Sequence, residues 1–406
     1  MMHSTPTQVV VYDHPAQFEP LMPGNAAAMQ ELALRIRGVV EASLRLQGSA
    51  HPVTRQRLRE LVRAMNSYYS NCIEGQSTHP RYIESALRKD FSDKPDVAQR
   101  QRIALAHIEA ERELEGLGAP EEAVLQSPML LRAHAALYGR LTPQDRTTED
   151  GHVVQPGQLR QEDVIVHRHH PPTWTSLPGF LSRMDGFYGR RWSLDMGLVA
   201  VACLHHRVAW VHAFRDGNGR AARLQTHVAL QPLSAGLWSV NRGLARQRDA
   251  YYTHLSNADM ARQGDLDGRG NLSERMLLEW CRFFIGVCED QVQFMTEMLD
   301  LGALKKRLHA LVLVKSQTED TSAYRSELVV PLHYVLAAGP LSRREFVQMT
   351  GLGERTARHS LSRLLADGLL RSDSPKGDVS LGFPLDQLHL LFPNLYPEAA
   401  AKPVDA

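Results

Sequence analysis

Between His212 and Arg223 the chain reads His-Ala-Phe-Arg-Asp-Gly-Asn-Gly-Arg-Ala-Ala-Arg, a run that gathers the residue types able to handle phosphate esters. Gly217 and Gly219 permit positive φ and let the backbone approach a phosphate with no Cβ in the way. The apolar residues that follow, Leu224, Val228 and Leu230, place the turn at a helix start. Free N–H groups and the positive end of the helix dipole attract anions there. Arg220 and Arg223 lie one helical turn apart, so both guanidinium groups can reach one ligand. Asp216 offers a hard oxygen suited to Mg²⁺ between phosphates. His212 titrates near neutrality and could take a proton from an attacking hydroxyl. A basic cradle, a metal carboxylate and a base are the parts of phosphoryl-type transfer, in which positioning and charge neutralisation dominate. A bare Gly-Asn-Gly turn would read as a solvated link between helices. The His, Asp and two Arg at these offsets argue for a site.

Positioning these groups requires two core helices. Val199, Ala200, Ala202, Cys203, Val208 and Ala209 predict one over 195–210 leading in, and 220–230 leads out. Apolar spacing predicts further helices over 27–46, 54–69, 81–91, 96–115, 127–140, 176–189, 246–257 and 274–303. Residues 1–26 carry Pro6, Pro15, Pro20, Pro23 and Gly24 and read as an extended leader. The clearest strand signal, Asp163-Val-Ile-Val166, follows Gln155-Pro-Gly157 and ends at His170-Pro-Pro172, giving a short β-hairpin on a helical body. From Ser326 the texture changes. A helix over 328–338 precedes Gly339-Pro340, and Ser342 caps a helix to Met349. A turn at Thr350-Gly-Leu-Gly353 leads to a helix over 354–367 closed by Gly368, and Leu369-Leu370 with Val379-Ser-Leu381 forms a hairpin. That is the order of a winged helix.

The segment 212–223 resembles the signature of Fic-domain proteins, His-x-Phe-x-Asp/Glu-Gly-Asn-Gly-Arg-x-x-Arg, at every fixed position. The commonest family version has Pro where this chain has Ala213. The resemblance implies that His212 activates a Ser, Thr or Tyr hydroxyl of a target protein for attack on the α-phosphate of ATP. It implies that Phe214 anchors the loop, Asp216 holds Mg²⁺, Gly217, Asn218 and Gly219 contact the phosphates, and Arg220 and Arg223 hold them from the helix. Kinase-like relatives usually carry Lys at the Gly219 position, so transfer of AMP is the favoured orientation. Ser70-Asn-Cys-Ile-Glu-Gly75 is similar to the family's inhibitory motif. Glu74 would then pair with Arg223 and displace the ATP γ-phosphate, with Ser70 holding the loop that presents it. The hairpin at 163–169 resembles the flap that presents the target hydroxyl, with Val166 and His167 flanking the nucleotide. His167, His169 and His170 lack the spaced partners of a metal site. Tyr251 and Tyr252 match a family pair bordering the adenine pocket, although Asp259 stands where many members have Asn.

The expected architecture is mainly α: a Fic-type helical bundle with a β-hairpin flap, plus a C-terminal winged-helix module. Its segments are a leader and helix over 1–54, an inhibitory-helix region over 55–125, a catalytic core over 126–287, a connecting helix and linker over 288–325, and the winged module over 326–406. The expected activity is protein adenylylation, including self-modification, with ATP and Mg²⁺. Two alternatives remain: a nucleotide-sensing winged-helix regulator of DNA, and the same core using another nucleotide donor or removing AMP. Arg355, Arg358 and Arg363 on the second winged-module helix are candidate phosphate contacts, diluted by Glu354 and Asp367, so DNA and protein are both candidate partners of that module. A homodimer is compatible with the sequence. A net charge of +1 announces no nucleic-acid or membrane partner by itself. No run of about 18 apolar residues and no basic-then-apolar N-terminus is found, so a cytoplasmic protein without a membrane segment is expected. Cys72, Cys203, Cys281 and Cys288 form no Cys-x-x-Cys pair and are expected to be interior thiols.

Overall fold

The computed structural model describes residues 10–166, 168–318, 323–384 and 387–397. In chain order the helices are α1 (Ala26–Gly48), α2 (Pro52–Ile73), α3 (Pro80–Leu87), α4 (Pro95–Gly116), α5 (Glu121–Val124) and α6 (Ser127–Tyr138). Next come α7 (Leu177–Tyr188), α8 (Leu194–Val211), α9 (Asn218–Ser234), α10 (Val240–Arg246), α11 (Arg248–Ala258) and α12 (Glu274–Met298). The chain continues through α13 (Leu301–Thr318), α14 (Val329–Ala338), α15 (Arg343–Met349), α16 (Glu354–Ala366) and α17 (Leu388–Leu391), with strands β1 (Leu370–Arg371) and β2 (Ser380–Leu381) before α17.

Local chemistry accounts for many helix ends. Three helical segments open on a His-Pro pair: the ring Nδ1 of His14, His51 and His79 accepts the N–H two residues on, each at 3.2 Å. The following proline fills a position whose N–H would have no partner. Ser342 caps α15 with a full capping box to Glu345. Asp367 is the C-cap of α16, and Gly368 beyond it takes φ +73°.

The described residues divide into two compact units. One is drawn from Met1–Arg37, Glu109–Leu230 and Leu244–Val287, the other from Gly38–Ile108, Gln231–Gly243 and Cys288–Ala406. They interleave along the chain, whereas the sequence reading divides it into consecutive segments. In the first unit α8 is apolar almost all round and buried over most of its length, as a central core helix is. Trp210, Phe180 and Phe18 pack edge-on and tilted at its end. Tyr188 donates from its hydroxyl to Leu21 O at 2.6 Å, and Arg207 donates to Pro20 O at 2.6 Å, so the proline-bearing leader is docked by polar anchors. In the second unit α14, α15 and α16 are followed by the antiparallel β1–β2 pair, Leu370 opposite Leu381, and Leu341 adds one bridge to Val379.

Several expectations change. The strand expected over Asp163–Val166 is a single antiparallel bridge, Val166 with His169, because the chain reverses at once and then meets Pro171 and Pro172, which have no N–H to extend a ladder. The helix expected over 274–303 breaks after Met298 at Leu299–Asp300, where Asp300 Oδ1 accepts the Ala303 N–H at 2.7 Å and starts α13. The helix expected over 246–257 is α11, and a short helix not expected from the sequence, α10, precedes it. The second helix runs four residues past its expected end, to Ile73, so Ser70 lies inside it. The cysteines are all thiols, and Cys203 Sγ lies 3.5 Å from Cys281 Sγ.

Candidate active site

The loop from His212 to Arg223 lies within the first unit and joins α8 to α9. His212 ends α8 in the left-handed region, φ 48° and ψ 59°. That conformation costs a non-glycine residue about 1–2 kcal/mol, and it turns the chain out of the helix at the imidazole. Arg160 holds the turn: its Nε donates to His212 O at 2.9 Å, and its backbone N–H donates to Ala213 O at 3.0 Å. The same guanidinium donates to Glu162 O at 2.8 Å and to Pro172 O. One buried arginine thus ties the loop to the segment that carries Val166.

Phe214 is fully buried and stacks on His134, ring centroids 3.9 Å apart, while His134 stacks on Tyr138 at 4.4 Å. Asn218 clamps the turn across its base. Its Oδ1 accepts the Phe214 N–H and its Nδ2 donates to Phe214 O, both at 2.8 Å. The Asn218 side chain is therefore committed to the loop, and only its backbone N–H faces a phosphate role. Gly217 has φ +80°, and a Cβ there would lie 2.3 Å from Tyr138 Cε2. Glycine is required twice over, for conformation and for space. Ala221 N–H donates to Gly217 O at 2.9 Å, so the N–H groups ahead of it begin α9 without a carbonyl one turn back.

Asp216 receives two hydrogen bonds on Oδ2, from Tyr138 at 2.5 Å and from Arg220 at 3.2 Å. Partial burial raises the carboxyl pKa, but Arg220, the Tyr138 hydroxyl and the Gly217 N–H outweigh it, and Asp216 is held below the usual carboxylate range. A side chain 48% exposed with its charge secured is suited to a hard divalent cation shared with phosphates. Arg220 and Arg223 are both buried. His134 accepts the Gly157 N–H on Nδ1 at 2.8 Å, so its Nε2 carries the proton and donates to Asp216 O at 3.1 Å.

The His212 pKa is lowered to about 4, first by burial and then by His169 and Arg160 nearby. At neutral pH the ring is uncharged and has a lone pair for a proton. His169 Nε2 faces Trp210 O at 2.6 Å. Val166 is half-buried on its single bridge, Ile165 beside it is 68% exposed, and His167 lies outside the described residues. Tyr251 is in the core: its hydroxyl meets His205 Nε2 at 2.9 Å, and His205 Nδ1 meets Thr226 at 2.7 Å. Tyr252 is 42% exposed with its ring centroid 5.4 Å from that of Tyr251. Asp259, the departure from the family pattern, lies 3.1 Å from His206 Nε2 and 3.8 Å from His169 Nδ1. Ser70 is buried in α2, and Glu74 is the exposed C-cap of that helix, followed by Gly75 at φ +74°. Both belong to the second unit.

Sequence reasoning missed His134, Tyr138 and Arg160. The first two are four residues apart on α6, one helical turn, a spacing that would place both rings on one face. Arg160, in an irregular segment far from the loop, gave no signal.

The family model described as Fic/DOC family matches residues 125–230. The chain is similar to the protein adenylyltransferase Fic of Culex quinquefasciatus, 28% identical over 138 residues, which is 34% of this chain and 24% of that protein. The protein of the same name from Drosophila ananassae is 33% identical over the same lengths. The chain thus spans about a quarter of the length of these curated relatives. Among solved structures, a Fic family protein from Desulfovibrio desulfuricans G20 aligns over 89% of this chain and 98% of its own, with TM-score 0.51 and 18% identity. Residues 134–508 of Fic-1 from C. elegans align over 67% of this chain and 73% of that one, with TM-score 0.51 and 17% identity. The mainly helical fold with its glycine turn between α8 and α9 is a Fic fold, and residues 125–230 match the Fic/DOC family model.

Proposed function

We propose that this protein transfers AMP from ATP to a Ser, Thr or Tyr hydroxyl of a target protein, and to itself. The observation that carries the reading is the loop's own construction. A neutral imidazole at the end of α8, a charged carboxylate on Asp216, and two buried arginines on the first turns of α9 surround one glycine turn. A triphosphate would lie with its anionic oxygens toward the N–H groups and guanidinium groups of α9. His212 would take the proton of the attacking hydroxyl as the new O–P bond forms at the α-phosphorus and pyrophosphate leaves. Asp216 fits Mg²⁺, which when bound supplies charge neutralisation at the phosphates. Arg160, Asn218, His134 and Tyr138 hold the turn in register so that these groups stay aligned before substrate arrives. Arg160 also ties in the segment carrying Val166, and its exposed neighbour Ile165 gives the target polypeptide an edge to meet.

Glu74 belongs to the same proposal as an inhibitory carboxylate. Its support is the resemblance of residues 70–75 together with the local structure, an exposed acid at a helix end backed by a glycine at positive φ. A carboxylate competing for Arg223 would weaken ATP binding in its productive pose. Self-labelling with ATP carrying a radiolabel at the α-phosphorus tests it. Glu74→Gly is expected to raise labelling by about tenfold or more, the scale of one charge-assisted hydrogen-bonded pair. Labelling that stays level or falls would remove inhibition from the account.

A further inference from the structure

We propose a second cation site, for a divalent first-row transition metal with Zn²⁺ the best match, formed by Glu111 and Glu115 of α4 and His227 of α9. The three side chains belong to one compact unit. Glu111 and Glu115 stand one helical turn apart, so both carboxylates leave the same face of α4. His227 Nε2 lies 2.9 Å from Glu115 Oε1 and 3.3 Å from Glu111 Oε1, and all three donor atoms lie within 4.8 Å of one another. Two ligands about 2.0–2.1 Å from a common ion, at the angles of a tetrahedral or octahedral shell, are separated by about 2.9–3.4 Å, the range of the two His227–carboxylate separations.

Burial strengthens the case. The side-chain exposures are 0% for Glu111, 6% for Glu115 and 2% for His227. Two carboxylates converging on one imidazole in the interior give up hydration, and a dication bound by all three would neutralise charge that burial makes costly. The donor set selects the ion: one imidazole with two carboxylates suits Zn²⁺, Mn²⁺ or Co²⁺, whereas Mg²⁺ favours oxygen alone. The site is separate in composition from Asp216 and the phosphate loop, and the inference does not depend on the transfer reaction. It would nevertheless bear on that loop, because His227 follows Arg223 by one turn on α9. An ion here would pin the arginine-bearing helix to α4.

The test uses the full, tag-free chain, stripped with a chelator and titrated with Zn²⁺ or Co²⁺ in the absence of nucleotide. The expected result is one equivalent bound, a Co²⁺ visible spectrum characteristic of nitrogen–oxygen ligation, and a melting temperature raised by about 5 °C or more at saturating Zn²⁺. Glu115→Gln and His227→Gln, each checked for a native circular dichroism spectrum, should weaken binding about 10-fold to 100-fold. Asp216→Asn should leave it unchanged. No binding above background, or binding that Glu115→Gln and His227→Gln leave intact while folded, would overturn the site and leave a hydrogen-bonded His–carboxylate cluster.

Discussion

Two helices of this chain start on glycine-containing turns and carry several arginines, α9 and α16, and they use them differently. On α9, Arg220 reaches back four residues to Asp216 with its side chain only 5% exposed. On α16, Arg358 reaches back four residues to Glu354 with both side chains 71% exposed, and Arg363 pairs with Asp367. The local spacing is nearly the same. Burial separates the two: a desolvated guanidinium keeps a strong field for an anionic ligand, while a solvated i,i+4 pair is screened and contributes little. The lesson is that arginine spacing announces a phosphate site only when the surrounding rings exclude water, as Tyr138, His134 and Phe214 do at α9.

The largest expected effect from breaking this contrast comes at Gly217. Gly217→Ala should lower transfer by about 100-fold through a displaced turn and destabilise the fold by about 1–3 kcal/mol, because the new Cβ meets Tyr138 at a residue with φ +80°. Transfer kinetics and urea unfolding check it. Next comes pH. With the His212 pKa at about 4, the imidazole is already deprotonated well below neutrality. The kcat/KM for transfer should stay level from pH 7 down to about 5, whereas a base titrating at the ordinary histidine value of about 6.5 would lose more than tenfold over that range. The same lowering has a stability sign. His134 and His212 fall to about 4 and His205 to about 3, chiefly through burial, so the unfolded chain binds protons that the native chain refuses. Stability is complete above about pH 6.5 and is lost as pH falls toward those native values. The smallest effect is assigned to α16: Arg358→Ala should change stability by less than about 0.5 kcal/mol and leave transfer untouched. A large loss there would mean that the exposed pair matters more than its solvation allows.

How much was legible beforehand follows the same physics. The loop could be read because glycines, capping positions and one-turn spacings are local properties, and α8 and α9 lie within a few residues of their expected bounds. The helices α15 and α16 were legible through Ser342 and Gly368, both of which do what their residue types favour. What failed was non-local or too short to carry a period. The strand at Asp163–Val166 had the right residue types but only one bridge to make. Arg160 depends on carbonyls brought together by folding. The break at Asp300 went unread because the apolar period continues across it.

The central claim is that the imidazole of His212 removes the proton from a hydroxyl attacking the α-phosphorus. Parallel reactions with ATP radiolabelled at the α- or the γ-phosphorus, run with the wild-type chain, Glu74→Gly, and Glu74→Gly combined with His212→Ala, test it most directly. The account predicts protein-bound label from the α-position only. It also predicts a loss of about 10²–10⁴-fold on His212→Ala, with ATP affinity changed by no more than about threefold since the imidazole holds no phosphate charge. Label arriving from the γ-position, or α-label surviving at full rate without His212, would contradict it.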